Sequence, residues 1–225
     1  MTLVGFKRAT IQPFTADGLP DGKPVVIEGK ANAGATVSAE VSGLSKDATK
    51  VAGSDIEYYI SQQGVGNVSV AFGLLDIPHL DEARILGQKT VGEDGKEIVY
   101  VGSDTSAPYC GVLLEAKDLQ GDVVQLGFFR GKFAKDKEEA KTLDPSETFK
   151  PDADSFTFSA AASTDDGDQN GEYVAKYIGS DADTIKKIRG QVLKEATTPA
   201  PAPAVTPTPS NNGPSGVTNA PKAVA

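Results

Sequence analysis

The apolar and polar positions of residues 107–134 read as two long strands joined by a turn, around which the rest of the chain is arranged. In the first strand Cys110, Val112, Leu114 and Ala116 alternate with Gly111, Leu113, Glu115 and Lys117, so one apolar set shares a face. Leu119, Gln120, Gly121 and Asp122 then supply the glycine and the short acid that a chain reversal uses. The return strand sets Val124, Leu126 and Phe128 on one face against Val123, Phe129 and Phe133 on the other. Neither face is cleanly polar, so this hairpin needs cover on both sides.

The same period of two predicts strands at residues 3–11, 25–28, 36–41, 56–62, 67–75, 97–101, 155–160 and 173–178. Turn residues at 17–22 make the first two an edge hairpin. Residues 43–55 are rich in Gly, Ser, Lys and Asp without apolar periodicity, which predicts a long, mobile connection rather than a tight hairpin. Helical spacing occurs twice. Residues 76–87 have Pro78 in a first turn, Leu80, Ala83 and Leu86 three apart, and Gly87 where a helix stops. From Ser180, Ser180 and Asp183 form a capping signature ahead of the stripe Ile185, Ile188, Val192 and Leu193. Residues 132–141 are mostly charged and read as a solvated loop. The class is mainly β, of the α+β kind, with a domain at residues 1–196. Residues 197–225 hold seven of the fourteen prolines and no aromatic residue, as a disordered Pro/Ala/Thr-rich tail or linker does.

Charge and composition narrow the function. The body to residue 196 has 21 basic against 31 acidic groups, a net −10 that repels duplex DNA rather than gripping it. No apolar run approaches the roughly 18 residues of a membrane span. Residues 1–8 place their basic side chains after the apolar ones, the reverse of a secretory signal, so export by that route is not expected. Cys110 is the single cysteine and sits on the apolar face, as a small buried hydrophobe does.

Catalytic chemistry has little to stand on. His79 is the only histidine, and no Ser or Cys nucleophile has an elbow motif. Zinc needs more His and Cys than exist, and Gly64-Val65-Gly66 lacks the third glycine of a dinucleotide loop. The one metal-like string is 166–171, where Asp166, Asp168 and Asn170 offer oxygens at calcium-loop spacing and Gly171 takes the sixth place. Its twelfth position is Tyr177 rather than Glu, and it joins two strands rather than two helices. An acidic turn is the reading adopted, with no metal, cofactor or enzymatic activity expected.

The order of these features resembles the major tail protein family of long-tailed, non-contractile bacteriophages, in particular those of Gram-positive hosts. The residues that carry the resemblance are Val4-Gly5-Phe6-Lys7-Arg8, the Tyr58-Tyr59 strand before the long Val-rich strand, and the helix from Ile77-Pro78 to Ile85-Leu86-Gly87. Ala107-Pro108-Tyr109 entering the central hairpin and Phe129-Arg130-Gly131-Lys132-Phe133 leaving it complete the set. The resemblance implies a β-sandwich or half-open barrel with a flanking helix. Six copies would close into a ring, and rings would stack into the tail tube through which DNA leaves the capsid. It also implies a virion protein made in the host cytoplasm, partnered by itself, a tape measure and a terminator protein, with DNA passing unbound and no membrane involved.

Within that reading the connection at residues 43–55, with Ser45, Lys46, Asp47, Lys50 and Asp55, is expected to reach the adjacent ring. The channel wall is expected to be net acidic, with Glu40 and Glu115 as examples of acids on strands, and the tail after residue 197 to lie outside the tube. Two other classes remain: a surface adhesion module, which would need an export signal, and a β-sandwich enzyme, which would need paired carboxylates fixed in a cleft.

Overall fold

The structure is a computed structural model and describes residues 2–146 and 148–195. In chain order the elements are β1 (Leu3–Pro13), β2 (Val25–Ile27), β3 (Ala35–Ser42), β4 (Thr49–Gly53), β5 (Ile56–Ser61), β6 (Ser69–Leu75), α1 (His79–Leu86), β7 (Lys89–Val91) and β8 (Ile98–Tyr100). The central pair β9 (Cys110–Asp118) and β10 (Val123–Ala134) follows, then β11 (Asp154–Ala161), β12 (Val174–Ile178) and α2 (Ala182–Leu193). Residues 197–225, expected to form a disordered tail, lie outside the described residues.

Eight strands form one antiparallel sheet in the order β2, β1, β9, β10, β11, β6, β3, with β12 also against β10. The sheet curls until β3, its last strand, touches β1 near the other end: the Thr36 hydroxyl donates to the Phe6 carbonyl at 2.7 Å. β10 is the spine of this half-barrel. One edge pairs with β9 throughout the hairpin, and the other meets β12 at Val124–Phe128 and β11 at Arg130–Ala134.

Both faces of the central hairpin are covered, as their apolar composition requires. The concave face carries Cys110, Val112, Leu114, Phe128 and Phe133 and packs with Phe72, Phe156 and Phe158, while Ile85 and Leu86 of α1 close the bowl. Gly87 ends α1 at φ 66°, and a Cβ there would meet the Ser106 carbonyl at 2.0 Å, so conformation and space both demand glycine. The convex face is covered by α2, whose Ile188, Val192 and Leu193 pack on Leu113 and Phe129. Gly111 and Gly127 let the helix approach: a Cβ on either would meet the Val192 carbonyl at 2.0 Å or its Cγ2 at 2.5 Å.

The structure departs from the sequence pattern at several places. Phe133 shares the concave face with Phe128, because a bulge between Phe128 and Gly131 inserts one residue and reverses the alternation. Residues 43–55 are not a featureless connection: β4 and β5 form a separate hairpin, turned by Ser54 and Asp55 at φ 55° and 62°. The strand at 97–101 is β8, whose partner β7 shows no alternation of its own. In α1, Pro78 is the N-cap, Leu80 stays exposed, and Ile85 takes its place in the core. The cap of α2 is Asp181, whose carboxylate accepts from the Thr184 amide at 2.8 Å, rather than Ser180. The expected loop from 132 is strand as far as Ala134, and Lys135 is drawn inward to Glu82 at 2.8 Å.

Candidate functional site

Where α2 ends its cover, the convex face of the sheet is bare. On β3, β6 and β11 the inward positions are filled by Val41, Val70, Phe72, Leu74, Phe156 and Phe158. Their outward neighbours are mostly small or hydroxylic, apart from exposed Val37 and half-buried Leu75 at one end. The register aligns them in rows: Ser38, Gly73 and Ser155; then Glu40, Ala71 and Thr157; then Ser42, Ser69 and Ser159. Ser42 and Ser69 hydroxyls lie 2.9 Å apart, and a Cβ on Gly73 would meet the Ser38 hydroxyl at 2.7 Å. The result is a smooth polar wall with a single carboxylate, Glu40.

On β10 the same wall continues to Arg130 and Lys132, which lie opposite Ala161 and Ser159. Tyr109 holds both cations: the Arg130 guanidinium is 3.8 Å and the Lys132 ammonium 4.9 Å from its ring centre. The wall has two free backbone edges. Among the described residues β3 has a backbone ladder only with β6, although its Thr36 end touches β1 at Phe6, and β10 beyond Gly131 has one only with β11 because β9 begins at Cys110. Unpaired edges of this kind recruit strands.

Two arms project from this body. On β4 and β5, Val51, Ile56, Tyr58, Tyr59 and Ile60 are all exposed, Tyr58 at 81%. The second arm, β7 with β8, exposes Val91, Ile98 and Tyr100. So much uncovered apolar surface on protruding hairpins marks an association surface. The expected contact residues lie here: Lys50 on β4, where it pairs with Glu57 at 3.0 Å, Asp55 in the turn, and Ser45, Lys46 and Asp47 at the hairpin's base. Charge composition pointed to those polar residues and missed the apolar ones beside them. The adjacent Tyr58-Tyr59 pair was the usable signal, since neighbours on a strand face opposite ways and one of two large apolar rings must then be exposed unless both faces are covered.

The remaining singled-out residues lie elsewhere on the molecule. Asp168 binds Lys187 at 2.9 Å, the Asn170 amide donates to the Asp165 carbonyl at 3.2 Å, and no group of three or more metal-ligating side chains occurs among the described residues. Glu115 is not a free acid on the wall. It is half-buried and bonded by Arg8 at 2.6 Å, with Lys7 at 3.4 Å and the Gln125 amide at 3.3 Å. Burial pushes its pKa up, but the Arg8 hydrogen bond and the Arg8 and Lys7 charges outweigh that and hold it below the usual carboxylate range. Cys110 is buried and its thiol is pushed up to about 12 by desolvation, which leaves it unreactive. No helix among the described residues is long and apolar enough to cross a membrane.

The family model described as phage tail tube protein matches residues 3–188. None of the curated proteins matches the chain.

Proposed function

The chain belongs to the phage tail tube protein family, structural components of bacteriophage tails, and from that premise we propose that six copies close head to tail into a ring whose channel is lined by the bare serine- and threonine-rich wall. Rings then stack into the conduit for DNA, assembled with a tape measure and a terminator protein and without enzymatic chemistry.

The observation that carries this reading is the wall itself, a broad sheet face whose three aligned rows hold only small or polar side chains, with β3 and the end of β10 at its two sides. Strand direction supports the closure. β10, β11, β6 and β3 alternate in direction, and rotation about a ring axis preserves direction, so β3 of one copy meets β10 of the next antiparallel. Each join is heterologous, edge against a different edge, as a closed ring requires. Short hydroxyl side chains suit a surface past which a polyanion slides, because every mobile cation would add a phosphate contact. On this reading the channel wall carries Glu40 against Arg130 and Lys132, with the two cations held on Tyr109.

The β4–β5 arm serves as the contact between stacked rings, burying Tyr58, Tyr59 and Ile60 against the neighbouring ring, with Lys50 and Asp55 at its polar rim.

Thiol labelling tests the orientation, since buried Cys110 gives little background. Thr157→Cys should react with a bulky maleimide in the free subunit and be protected in assembled tubes. Equal labelling in both states would place the wall outside.

A further inference from the structure

We infer that Glu40 of one copy is the counter-charge of Arg130 and Lys132 in the next, so that an ion pair across each lateral junction sets the closure of the ring. The inference rests on the ring reading above and names the residues that join its edges.

Arg130 and Lys132 share one aromatic platform, yet among the described residues neither lies within 4.0 Å of a carboxylate. Arg130 makes one side-chain hydrogen bond, to the Thr164 hydroxyl at 3.3 Å. Its stacking on Tyr109 fixes the plane of the guanidinium and leaves N–H groups on its rim free for a carboxylate. Glu40 is the matching orphan: exposed, on the wall, and without an ion pair among the described residues.

Within one copy the two cannot meet. β6 and β11 stand between β3 and β10, and at about 4.8 Å per strand step the gap is roughly 14 Å. Both positions nevertheless lie on the strands whose outer edges are open, and the register puts Glu40 one row from Lys132. Setting β3 against the uncovered end of β10 in the next copy reduces the separation to one strand step, where cross-strand charges pair. Closed sheets stagger their strands, and Lys132 and Arg130, two residues apart on one face, offer two rungs that accommodate that stagger. The pairing also withdraws cationic side chains from a surface past which a polyanion moves.

Charge reversal tests this on the full chain, with tube formation read by pelleting and electron microscopy and folding by thermal denaturation. Glu40→Lys should keep the wild-type melting midpoint and lower the polymerised fraction at least tenfold, and so should Arg130→Glu with Lys132→Glu. The combined triple variant should restore polymerisation. Should a reversal variant not fold, Glu40→Gln replaces it, and its polymerisation should lose the salt sensitivity shown by the wild type. Tubes from Glu40→Lys at wild-type yield, or a folded triple variant that fails to assemble, would overturn the pairing and leave the ring reading standing. A wild-type protein that forms no tubes would overturn the ring reading and the pairing with it.

Discussion

Phe128 and Phe133 both pack on Phe158, with ring centres at 5.9 Å and 4.9 Å, although they stand at an odd offset along one strand. An odd offset on a regular strand would send the two rings to opposite faces. The bulge ahead of Gly131 restores them to one side, and Gly131 makes room for the result: a Cβ there would meet Phe158 Cζ at 2.3 Å and the Ser159 carbonyl at 2.5 Å.

Gly131→Ala therefore forces the aromatic cluster apart. The expected loss is about 1–3 kcal/mol, the usual cost of overpacking a filled core. Urea denaturation of wild type and variant measures it, and an unchanged midpoint would show that the bulge has slack.

Lys135 ties α1 to the end of β10, donating to Glu82 at 2.8 Å with its side chain 7% exposed. Burial lowers its pKa, but the hydrogen bond to Glu82 and the charges of Glu82 and Asp154 raise it more, so the net direction is upward. A raised lysine contributes stability that is present at neutral pH and lost as pH climbs past the ordinary value of about 10.4. Lys135→Ala should cost about 1–3 kcal/mol at pH 7, chiefly by leaving Glu82 without its partner, and should flatten the alkaline limb of a stability-against-pH curve.

Glu115 gives the opposite limb. Its folded pKa is depressed, so its contribution is present above the ordinary glutamate value of about 4.3 and is lost as pH falls through the folded value. Glu115→Gln should be less stable than wild type at pH 7 and should lose less stability on acidification below about pH 4. Thermal melts between pH 2 and 7 decide it, and parallel curves for the two proteins would contradict the assignment.

The β4–β5 arm is predicted to matter for assembly and not for folding. Replacing Tyr58, Tyr59 and Ile60 with serine removes exposed surface only, so the melting midpoint should stay within a few degrees, since surface changes are usually within about 0.5 kcal/mol. Sedimentation should show the variant failing to form long polymers. Polymers of normal length would refute the stacking role of the arm.

The central hairpin and the α2 stripe were legible in the sequence because each buries a face and so writes a period into the chain. The bulge was not, because Phe129, Arg130 and Gly131 carry no mark that separates an inserted residue from a paired one. β4 escaped notice for a related reason: a strand exposed on both faces has no face to keep apolar. The bare wall was visible only in pieces, as the polar side of three strands far apart in sequence. Only the register that sets Ser42, Ser69 and Ser159 side by side turns those sides into one surface.

Closure of this subunit into a sixfold ring with the serine- and threonine-rich wall facing the channel is open to direct measurement. Cryo-electron microscopy of polymer grown from the purified full chain measures both at once. Stacked sixfold rings are expected, in which Thr157 and Ser159 line the lumen and β3 of each copy lies beside β10 of the next. A protein that stays monomeric at high concentration, or a tube with that wall turned outward, would contradict it.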